Sequence, residues 1–217
     1  MTVLDAFRAH VVACSPMLTG APLLLAHRFD AAEAARLVDW YGATFTVAAA
    51  TAYTALMNAP EARARDLSSL TKAYSGGAPV APATAAAWEE LTGALLHTVY
   101  GLTETTSPSH MAPLGVRPPV DPASGAAAVG RDVAGTTTRI LPDTGEIAIR
   151  GPQVVPGYWG RPEETAAALP DGELRTGDVG VLDDDGRRPT RRRARSSCSR
   201  SCRTASGKIL RRELRGR

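Results

Sequence analysis

Apolar and polar residues alternate along the first half of the chain in a pattern that predicts helices and strands in turn. The clearest helix is Ala31–Tyr41, whose apolar positions recur at the three- and four-residue spacing of one helix face, at Ala34, Leu37, Val38 and Tyr41. Asp30, directly before this segment, is the predicted N-cap, and Glu33 is the expected reciprocal partner of a capping box. This helix is therefore predicted to pack one face against a core.

Shorter apolar segments continue the alternation. Four of them are predicted strands, at residues 23–26, 44–49, 71–74 and 95–100. Two segments between them, residues 51–57 and 83–91, are predicted helices, and Pro82 suits the first turn of the second because no N–H is needed there. Strand–helix units of this length predict parallel strands joined by crossover helices.

The texture of the chain changes after Pro108, where proline and glycine become frequent and helical spacing ends. Residues 136–141 and 146–150 are predicted strands joined by a turn, and residues 179–182 are a third. The predicted fold class is α/β: a partial parallel sheet with crossover helices, then a small antiparallel β region, together an incomplete fold. The predicted domains are a partial α/β subdomain (1–110), a β-rich subdomain (111–186) and an arginine-rich, low-complexity stretch (187–217).

Positive charge is distributed unevenly along the 217 residues, although the net charge is only +3. Eight arginines lie between positions 187 and 203. Such a cluster could contact nucleic-acid phosphates, with binding that weakens steeply as salt rises. No aromatic residue interleaves with these arginines and no recognition motif surrounds them, which argues against a nucleic-acid partner.

Cysteine usage and the start of the chain bear on where the protein resides. Cys14, Cys198 and Cys202 are an odd number, and the last two lack the second ligand pair of a zinc site. The first residues show no basic region followed by an apolar run and a cleavage site. No apolar stretch approaches the roughly 20 residues that span a bilayer. The sequence therefore predicts a reduced, cytoplasmic location without a membrane span.

Two loops after predicted strands carry residues suited to ligand binding. In residues 75–79, Ser-Gly-Gly-Ala-Pro, the glycines let the backbone approach a flat ligand, although alone this sequence is more typical of a tight turn. In residues 100–106, Tyr100 offers a stacking ring, Thr103 a hydroxyl and Glu104 a hard oxygen ligand suited to Mg²⁺. Open α/β sheets place ligands at such strand ends. Composition alone fits a polar loop capped by a glutamate equally well.

Two further residues have side chains suited to a nucleotide site. Asp178, in Thr-Gly-Asp before an apolar strand, could accept hydrogen bonds from both hydroxyls of a ribose. Lys208, after Ser-Gly, could neutralise a developing negative charge. Taken alone, Asp178 is better explained as an ordinary turn aspartate, and Lys208 as a solvated lysine. Whether they belong to a nucleotide site therefore depends on the order in which the motifs occur.

Taken in order, the motifs resemble those of the adenylate-forming superfamily: acyl-CoA synthetases, firefly luciferase and the adenylation domains of peptide synthetases. After the two loops come Gly-Glu-Ile-Ala-Ile-Arg-Gly (145–151), Gly-Tyr-Trp (157–159), Pro-Glu-Glu-Thr (162–165), Thr-Gly-Asp (176–178) and Thr-Ala-Ser-Gly-Lys-Ile-Leu-Arg-Arg-Glu-Leu (204–214). The set covers nearly the whole chain apart from residues 187–202 and is closest to the acyl-CoA synthetase branch.

The resemblance implies a reaction and its participants. A small-molecule carboxylic acid, a fatty or aryl acid, would attack the α-phosphate of Mg²⁺-bound ATP to give an acyl-adenylate and pyrophosphate. A thiol such as coenzyme A would then accept the acyl group. The implied ligands are thus ATP, Mg²⁺ and coenzyme A, and such chemistry depends on positioned cations more than on covalent help from the protein.

The resemblance also implies roles for individual residues. Those that hold the nucleoside would be Gly77, Ala78 and Pro79 along adenine, Tyr100 with Gly101 as the stacking platform, and Asp178 and Arg193 at the ribose. Thr103 would bind the α-phosphate, Glu104 the magnesium ion, and Lys208 the charge that develops during adenylation. Thr103 and Lys208 are therefore the candidate catalytic residues.

Parts of the family pattern are not found in this sequence. The Ser/Thr/Gly-rich phosphate loop ending in Pro-Lys is absent upstream of residue 75, which predicts the loss of several charge-assisted hydrogen bonds of roughly 1.5–3 kcal/mol each. Only 30 residues separate Asp178 from Lys208, so most of a small C-terminal domain is expected to be missing. The residues around Arg193 do not match, and we expect this stretch to reflect a coding region read out of frame.

These departures leave two alternatives. Either the chain is a truncated acid–thiol ligase, complemented by a separate N-terminal fragment, or it is an inactive remnant that at most binds a nucleotide or an acyl group. In both cases the parallel sheet is expected to have an unpaired edge and an uncovered face, which favour aggregation. An acyl pocket would draw on residues 44–52, 76–77 and 100–109.

Overall fold

The computed structural model describes residues 15–26, 28–106, 108–121 and 127–181, together with the backbone of residues 190–192. Within this part of the chain the strands form two sheets. The first sheet contains β1 (Phe45–Ala48), β2 (Lys72–Ser75), β3 (Leu96–Tyr100), β4 (His110–Met111) and β5 (Arg131–Asp132). The second contains β6 (Thr137–Ile140), β7 (Glu146–Arg150), β8 (Leu174–Val181) and β9 (Thr190–Arg192).

The described helices are short, and most of them connect the strands of the first sheet. They are α1 (Ser15–Thr19), α2 (Ala31–Tyr41), α3 (Ala50–Asn58), α4 (Pro60–Arg63), α5 (Pro82–Thr92) and α6 (Pro162–Ala168). Single 3₁₀ turns occur at Thr103–Thr105 and Pro170–Gly172. Among the described residues, no helix has the length and apolar character needed to cross a bilayer.

The helix α2 has the bounds that its apolar spacing predicts. Oδ1 of Asp30 accepts a hydrogen bond from the backbone N–H of Glu33 at 2.9 Å, as expected of an N-cap, and Gly42 ends the helix with φ of +60°. The Glu33 carboxylate, however, accepts hydrogen bonds from the Arg36 guanidinium at 2.7 and 2.8 Å. The second half of the predicted capping box is therefore wrong, because the cation one turn later takes the carboxylate.

The first sheet confirms the predicted parallel arrangement. β1, β2 and β3 are parallel neighbours in that order, and β4 and β5 continue the sheet in antiparallel pairing. Helices α2 to α5 pack on one face. There the ring of Trp88, which is fully buried, meets the edge of Tyr53 at 4.8 Å between centroids. The same core contains Ala35, Leu56, Leu67, Leu70, Ala73, Val80 and Leu96.

One predicted strand is wrong. Residues 23–26 have neither strand nor helix structure, and the side chain of Leu25 is 81% exposed. A run of four apolar residues has no period, so burial could not be judged from it. The other three strands of this half begin and end within one residue of their predicted bounds, as do α3 and α5.

The face of the sheet opposite the helices is not bare, contrary to our expectation. Val47, Tyr74 and Val99 lie on this face and are each less than a tenth exposed. The expected open edge is present at β1, since no strand within the described residues pairs with its outer side. Phe45, at the start of that edge strand, is 37% exposed.

The second sheet is antiparallel throughout, which confirms the predicted β region. Its hairpin between β6 and β7 turns at Gly145, which has φ of +69°. Ile147, Ile149 and Leu174 are fully buried on its inner side, together with Tyr100 from the first sheet. The two sheets therefore share one core at the end of β3.

Helix α6 was not predicted, because it is built from alanine and glutamate and has no buried residue that would leave an apolar stripe. The first sheet also extends past residue 110 to include β4 and β5. The division of the chain at residues 110 and 186 remains a prediction. Most of the arginine-rich stretch lies outside the described residues.

Candidate nucleotide site

The carboxyl ends of β2 and β3 lie side by side, so the two loops that follow them meet at one edge of the sheet. Gly76, directly after β2, passes so close to β3 that a Cβ atom would lie 2.9 Å from the carbonyl oxygen of Val99 and 2.8 Å from its Cγ1. Only glycine fits this contact without displacing backbone. The first glycine of the Ser-Gly-Gly-Ala-Pro sequence is therefore required by the approach of the two strands.

The next residues of this loop are open to solvent. Gly77 has φ of +79° with no atom near the position of its missing Cβ, and Ala78 and Pro79 are exposed. Val80 then returns to the core at 5% exposure. The three predicted adenine-pocket residues thus form an exposed rim at the carboxyl edge of the sheet.

Tyr100 is the last residue of β3, and its side chain connects the two sheets. It is 7% exposed and packs within the core shared with Ile147, Ile149 and Leu174. Its hydroxyl donates a hydrogen bond to Oδ2 of Asp178 at 2.9 Å. Two residues that the sequence assigned to one ligand are therefore in direct contact.

The backbone of β8 is shaped to present Asp178. Opposite β7, residues 146 and 148 pair with residues 179 and 175, so the Thr-Gly-Asp segment bulges out of the strand. Gly177 takes φ of +69°, and its N–H donates to the Glu146 carboxylate at 2.7 Å. The hydroxyl of Thr176 donates to the carbonyl of Ile147 at 2.7 Å and accepts from the Asp178 N–H at 3.1 Å.

The loop after Tyr100 is held by its own side chains. The fully buried Thr105 hydroxyl accepts from the Leu102 N–H and donates to the Leu102 carbonyl, both at 2.9 Å. Thr106 follows with φ of +57°, an unfavourable value for a β-branched residue. Thr103 lies at the start of this turn and is exposed. Thr103 and Glu104 are therefore the first two residues of this turn.

Glu104 has a partner that the sequence did not predict. Its Oε1 accepts a hydrogen bond from the Tyr158 hydroxyl at 2.8 Å, and its carbonyl accepts from the Val155 N–H at 2.8 Å. Desolvation and the neighbouring Glu104 carboxylate together raise the pKa of Tyr158 to about 12. Tyr158 therefore remains a hydrogen-bond donor and fixes one of the two carboxylate oxygens.

Glu104 could bind magnesium as a single carboxylate ligand, together with phosphate and water. Within the described residues no group of three or more His, Cys, Asp or Glu side chains could hold a metal by itself. Mg²⁺ is commonly bound by one or two carboxylates together with substrate phosphates and water. With Oε1 held by Tyr158, Glu104 has a second oxygen of the kind that such an ion takes.

Comparison with known proteins shows the family to which the chain belongs. The profile of the AMP-binding enzyme family matches residues 6–159. The chain belongs to this family. A long-chain-fatty-acid–CoA ligase of Bacillus subtilis (strain 168) is 35% identical over 173 residues, covering 77% of this chain and 30% of the relative. A 4-coumarate–CoA ligase-like protein of Oryza sativa subsp. japonica is 38% identical over 183 residues, covering 77% and 29%.

Solved structures of AMP-binding enzymes share the fold. A malonyl-CoA ligase in a ternary product complex with methylmalonyl-CoA and AMP superposes with a TM-score of 0.73 at 28% identity, covering 90% of this chain and 44% of the other. The anthranilate CoA ligase AuaEII with anthranoyl-AMP gives a TM-score of 0.73 at 23% identity, covering 86% and 37%. The chain thus spans less than half the length of the relatives it matches, and its fold corresponds to part of theirs.

The structure places most, but not all, of the predicted site residues. Tyr100, Gly101, Thr103, Glu104 and Asp178 lie around the end of β3, and the exposed 77–79 rim follows the neighbouring strand. Arg193 and Lys208 lie outside the described residues, so their roles remain predictions. Tyr158 belongs to the Gly-Tyr-Trp motif, but no spacing rule pairs it with Glu104, which is why its contact was missed. Behind Tyr100, the buried Ser109 and His110 and the partly exposed Asp132 form a network that no motif indicated.

Proposed function

We propose that this AMP-binding chain takes part in ATP-dependent activation of a carboxylic acid. The acid would form an acyl-adenylate with release of pyrophosphate, and the acyl group would pass to a thiol such as coenzyme A. The observation that carries the proposal is the contact between Tyr100 and Asp178 at the carboxyl edge of the parallel sheet. It brings a ring suited to adenine and a carboxylate suited to a ribose diol together.

The roles proposed for the surrounding residues follow from where they lie. The exposed rim of Gly77, Ala78 and Pro79 would border adenine. The Thr103 hydroxyl would contact the α-phosphate, and Glu104, oriented by Tyr158, would hold Mg²⁺, which would screen the phosphate charge when bound. Arg193 at the ribose and Lys208 at the reacting phosphate complete the proposed set.

The acid is proposed from the relatives and from the site. The relatives are named for long-chain fatty acids and for 4-coumarate, and the structural neighbours for anthranilate and malonyl groups. We propose a fatty or aryl acid, bordered by residues 44–52, 76–77 and 100–109. Coenzyme A would be the thiol acceptor.

The competing proposal is a nucleotide- or acyl-binding module without catalysis. Two measurements on the full 217-residue chain separate the two functions. Calorimetric titration with AMP measures binding, and pyrophosphate release with ATP, Mg²⁺ and a panel of fatty and aryl acids measures activation. Binding with acid-dependent pyrophosphate release supports the ligase, whereas binding without release supports the module.

Matched variants make the binding measurement specific to the site. Asp178→Asn replaces one carboxylate oxygen by an amide NH₂ and should weaken AMP binding by about fivefold, since about 1 kcal/mol is typical of one hydrogen bond lost to a ribose hydroxyl. Asp143→Asn, in the exposed turn between β6 and β7, removes the same charge away from the site and should change binding less than twofold. Absence of AMP binding by the unmodified chain, or equal effects of the two substitutions, would contradict both functions.

A further inference from the structure

A chain of hydrogen-bonded polar side chains, with Ser109 and His110 buried at its centre, lies directly behind Tyr100, where the polypeptide returns from the site into β4. Oγ of Ser109 lies 2.9 Å from Nδ1 of His110 and 3.3 Å from the carbonyl oxygen of Tyr100. On the other side of the ring, Nε2 lies 2.9 Å from Oδ1 of Asp132 and 3.0 Å from Oγ1 of Thr138. Ser109 and His110 are fully buried, whereas the Asp132 side chain is 38% exposed.

Serine, histidine and aspartate in series are also the composition of a hydrolytic triad, but this series is not placed for nucleophilic attack. A nucleophile must be reached by its substrate, and the Ser109 side chain is enclosed against the backbone of Tyr100. The contacts of His110 connect three segments instead: the end of β3, the strand β5 and, through Thr138, the strand β6 of the second sheet. The network therefore fixes backbone around the candidate site.

We propose that His110 is a positioning residue for Tyr100, and that its protonation state decides whether the Ser109 hydroxyl bonds to the His110 ring or to the Tyr100 carbonyl. The geometry around the ring carries this inference by itself. Its consequence for nucleotide affinity rests on the function proposed above.

The two arrangements follow from the number of protons available. Neutral His110 carries a single N–H, and the Asp132 carboxylate, as an acceptor, favours that proton on Nε2. Nδ1 is then an acceptor, and Ser109 donates its only hydroxyl proton to it. When His110 is protonated, Nδ1–H donates to Ser109, and the hydroxyl proton turns to the Tyr100 carbonyl. The Ser109 N–H donates to that carbonyl at 2.9 Å in either case.

Two titratable groups lie next to the His110 ring. Among the described residues, the titratable side chains that face His110 are Asp132 from β5 and Tyr100 from β3, whose ring centroid lies 5.5 Å away. Partial burial opposes the charged form of Asp132, but hydrogen bonds from His110 and Thr138 outweigh it and hold the pKa of Asp132 below its usual range. Thr138, from β6, is polar but uncharged.

Two substitutions of His110 each remove the contacts on one side of the ring and keep those on the other. In His110→Asn the amide lies near the position of Nδ1, so the contact with Ser109 can be kept while that with Asp132 is lost. In His110→Gln the amide reaches the position of Nε2, so the contact with Asp132 can be kept while that with Ser109 is lost. His97→Asn is the matched control. Like His110, His97 is buried, but it lies on β3 and contacts the Ala73 carbonyl and the Gly115 N–H.

The first readout needs no nucleotide. In the full chain, the ¹³C resonance of the Tyr100 carbonyl and the ¹⁵N resonances of the His110 ring are followed by NMR from about pH 5 to pH 8, the range in which histidines titrate. We expect the Tyr100 carbonyl resonance to change together with the His110 ring resonances, a correlation that His97→Asn retains. In both His110 variants the carbonyl resonance should stay constant. A Tyr100 carbonyl resonance that does not follow the ring resonances would overturn the proposal.

The second readout is AMP affinity at neutral pH. His110→Gln leaves the Ser109 hydroxyl to donate to the Tyr100 carbonyl and should change AMP affinity by about fivefold, roughly the size of one hydrogen bond. His110→Asn keeps the contact with Ser109 and should change the affinity by less than twofold. A purely structural role would lower the melting temperature and the affinity equally in both variants, and that result would count against positioning. If the unmodified chain does not bind AMP, the proposed function fails, and the NMR titration still decides the role of His110.

Discussion

The hydroxyl of Tyr100 lies 2.9 Å from Oδ2 of Asp178, although the two residues are 78 positions apart in the chain. Tyr100 ends a strand of the first sheet, and Asp178 lies in the bulge of β8 in the second sheet. The bond thus joins the sheets where the candidate site lies. The tyrosine is only 7% exposed, so its ring is enclosed where the sheets meet.

Removing that hydroxyl should be measurable in the stability of the chain. Tyr100→Phe keeps the ring and the packing but leaves the Asp178 carboxylate without this donor, so we expect the free energy of unfolding to fall by about 1 kcal/mol. Urea denaturation followed by circular dichroism measures the change. Tyr41→Phe, which removes a hydroxyl from an exposed ring of α2, should stay within about 0.5 kcal/mol of the unmodified chain. Equal effects of the two substitutions would contradict a specific bond between the sheets.

Gly76 is predicted to tolerate no side chain. A Cβ there would lie 2.9 Å from the carbonyl oxygen of Val99, so Gly76→Ala must push two strands apart and should destabilise the chain by about 1–3 kcal/mol. In a Val99→Ala background the Cγ1 contact is removed, but the carbonyl remains, so the loss should persist. Gly77→Ala has open space and only the cost of its positive φ, about 1 kcal/mol. Unfolding free energies that rank Gly77→Ala as the worse substitution would be inconsistent with this packing.

Thr106 is predicted to be a site where a smaller residue stabilises the chain. Its φ of +57° is costly for a β-branched side chain, and glycine takes this conformation freely. Thr106→Gly should raise the free energy of unfolding by about 0.5–1 kcal/mol, after allowing for the greater freedom of glycine in the unfolded chain. Asp171→Gly, at φ of +54°, should gain less because aspartate adopts this region more readily. A loss of stability in Thr106→Gly would rule out backbone strain at this loop.

His97 should make the stability of the chain fall under mildly acidic conditions. Burial lowers the pKa of His97, and the hydrogen bond to the Ala73 carbonyl offsets this only in part. Since the unfolded histidine titrates near 6.5, the unfolded state binds more protons below that pH. The contribution is therefore complete above about pH 6.5 and is lost as pH falls through the lower folded pKa.

Urea denaturation at several pH values between about 5 and 8 tests this linkage. His97→Gln keeps an amide near Nε2, which accepts the Gly115 N–H at 3.0 Å, but does not titrate. The difference between the unmodified chain and this variant should be constant above about pH 6.5 and shrink below it. A difference that grows as the pH falls would mean that His97 is charged in the folded chain.

The first half of the fold could be predicted because its signals are local. Helical spacing predicts α2, Pro82 marks the start of α5, and short apolar segments mark the parallel strands. The strand expected at 23–26 failed because its burial depends on neighbours that a four-residue run does not reveal. Helix α6 was missed for the opposite reason, since a helix without buried residues leaves no periodic signal.

Motifs nominated Tyr100, Glu104 and Asp178 for the candidate site, and their roles remain predictions. The contacts of these residues could not be predicted, because nothing in their spacing indicated that Tyr158 would bond to Glu104. The same holds for His110, whose partners come from neighbouring residues, from β5 and from the second sheet. Contacts between segments distant in sequence depend on how the sheets pack, which no single segment encodes.

The bulge of β8 places the ribose-binding candidate on one sheet while the adenine-binding candidate ends a strand of the other. A nucleotide held by both would act as a cross-link between the sheets. Its binding free energy would then depend on the free energy with which the two sheets pack together. Saturating nucleotide would in turn raise the melting temperature of the chain. Nucleotide affinity would thus report how firmly the two sheets pack. A substitution far from the site that loosens the core shared by the sheets would therefore weaken nucleotide binding.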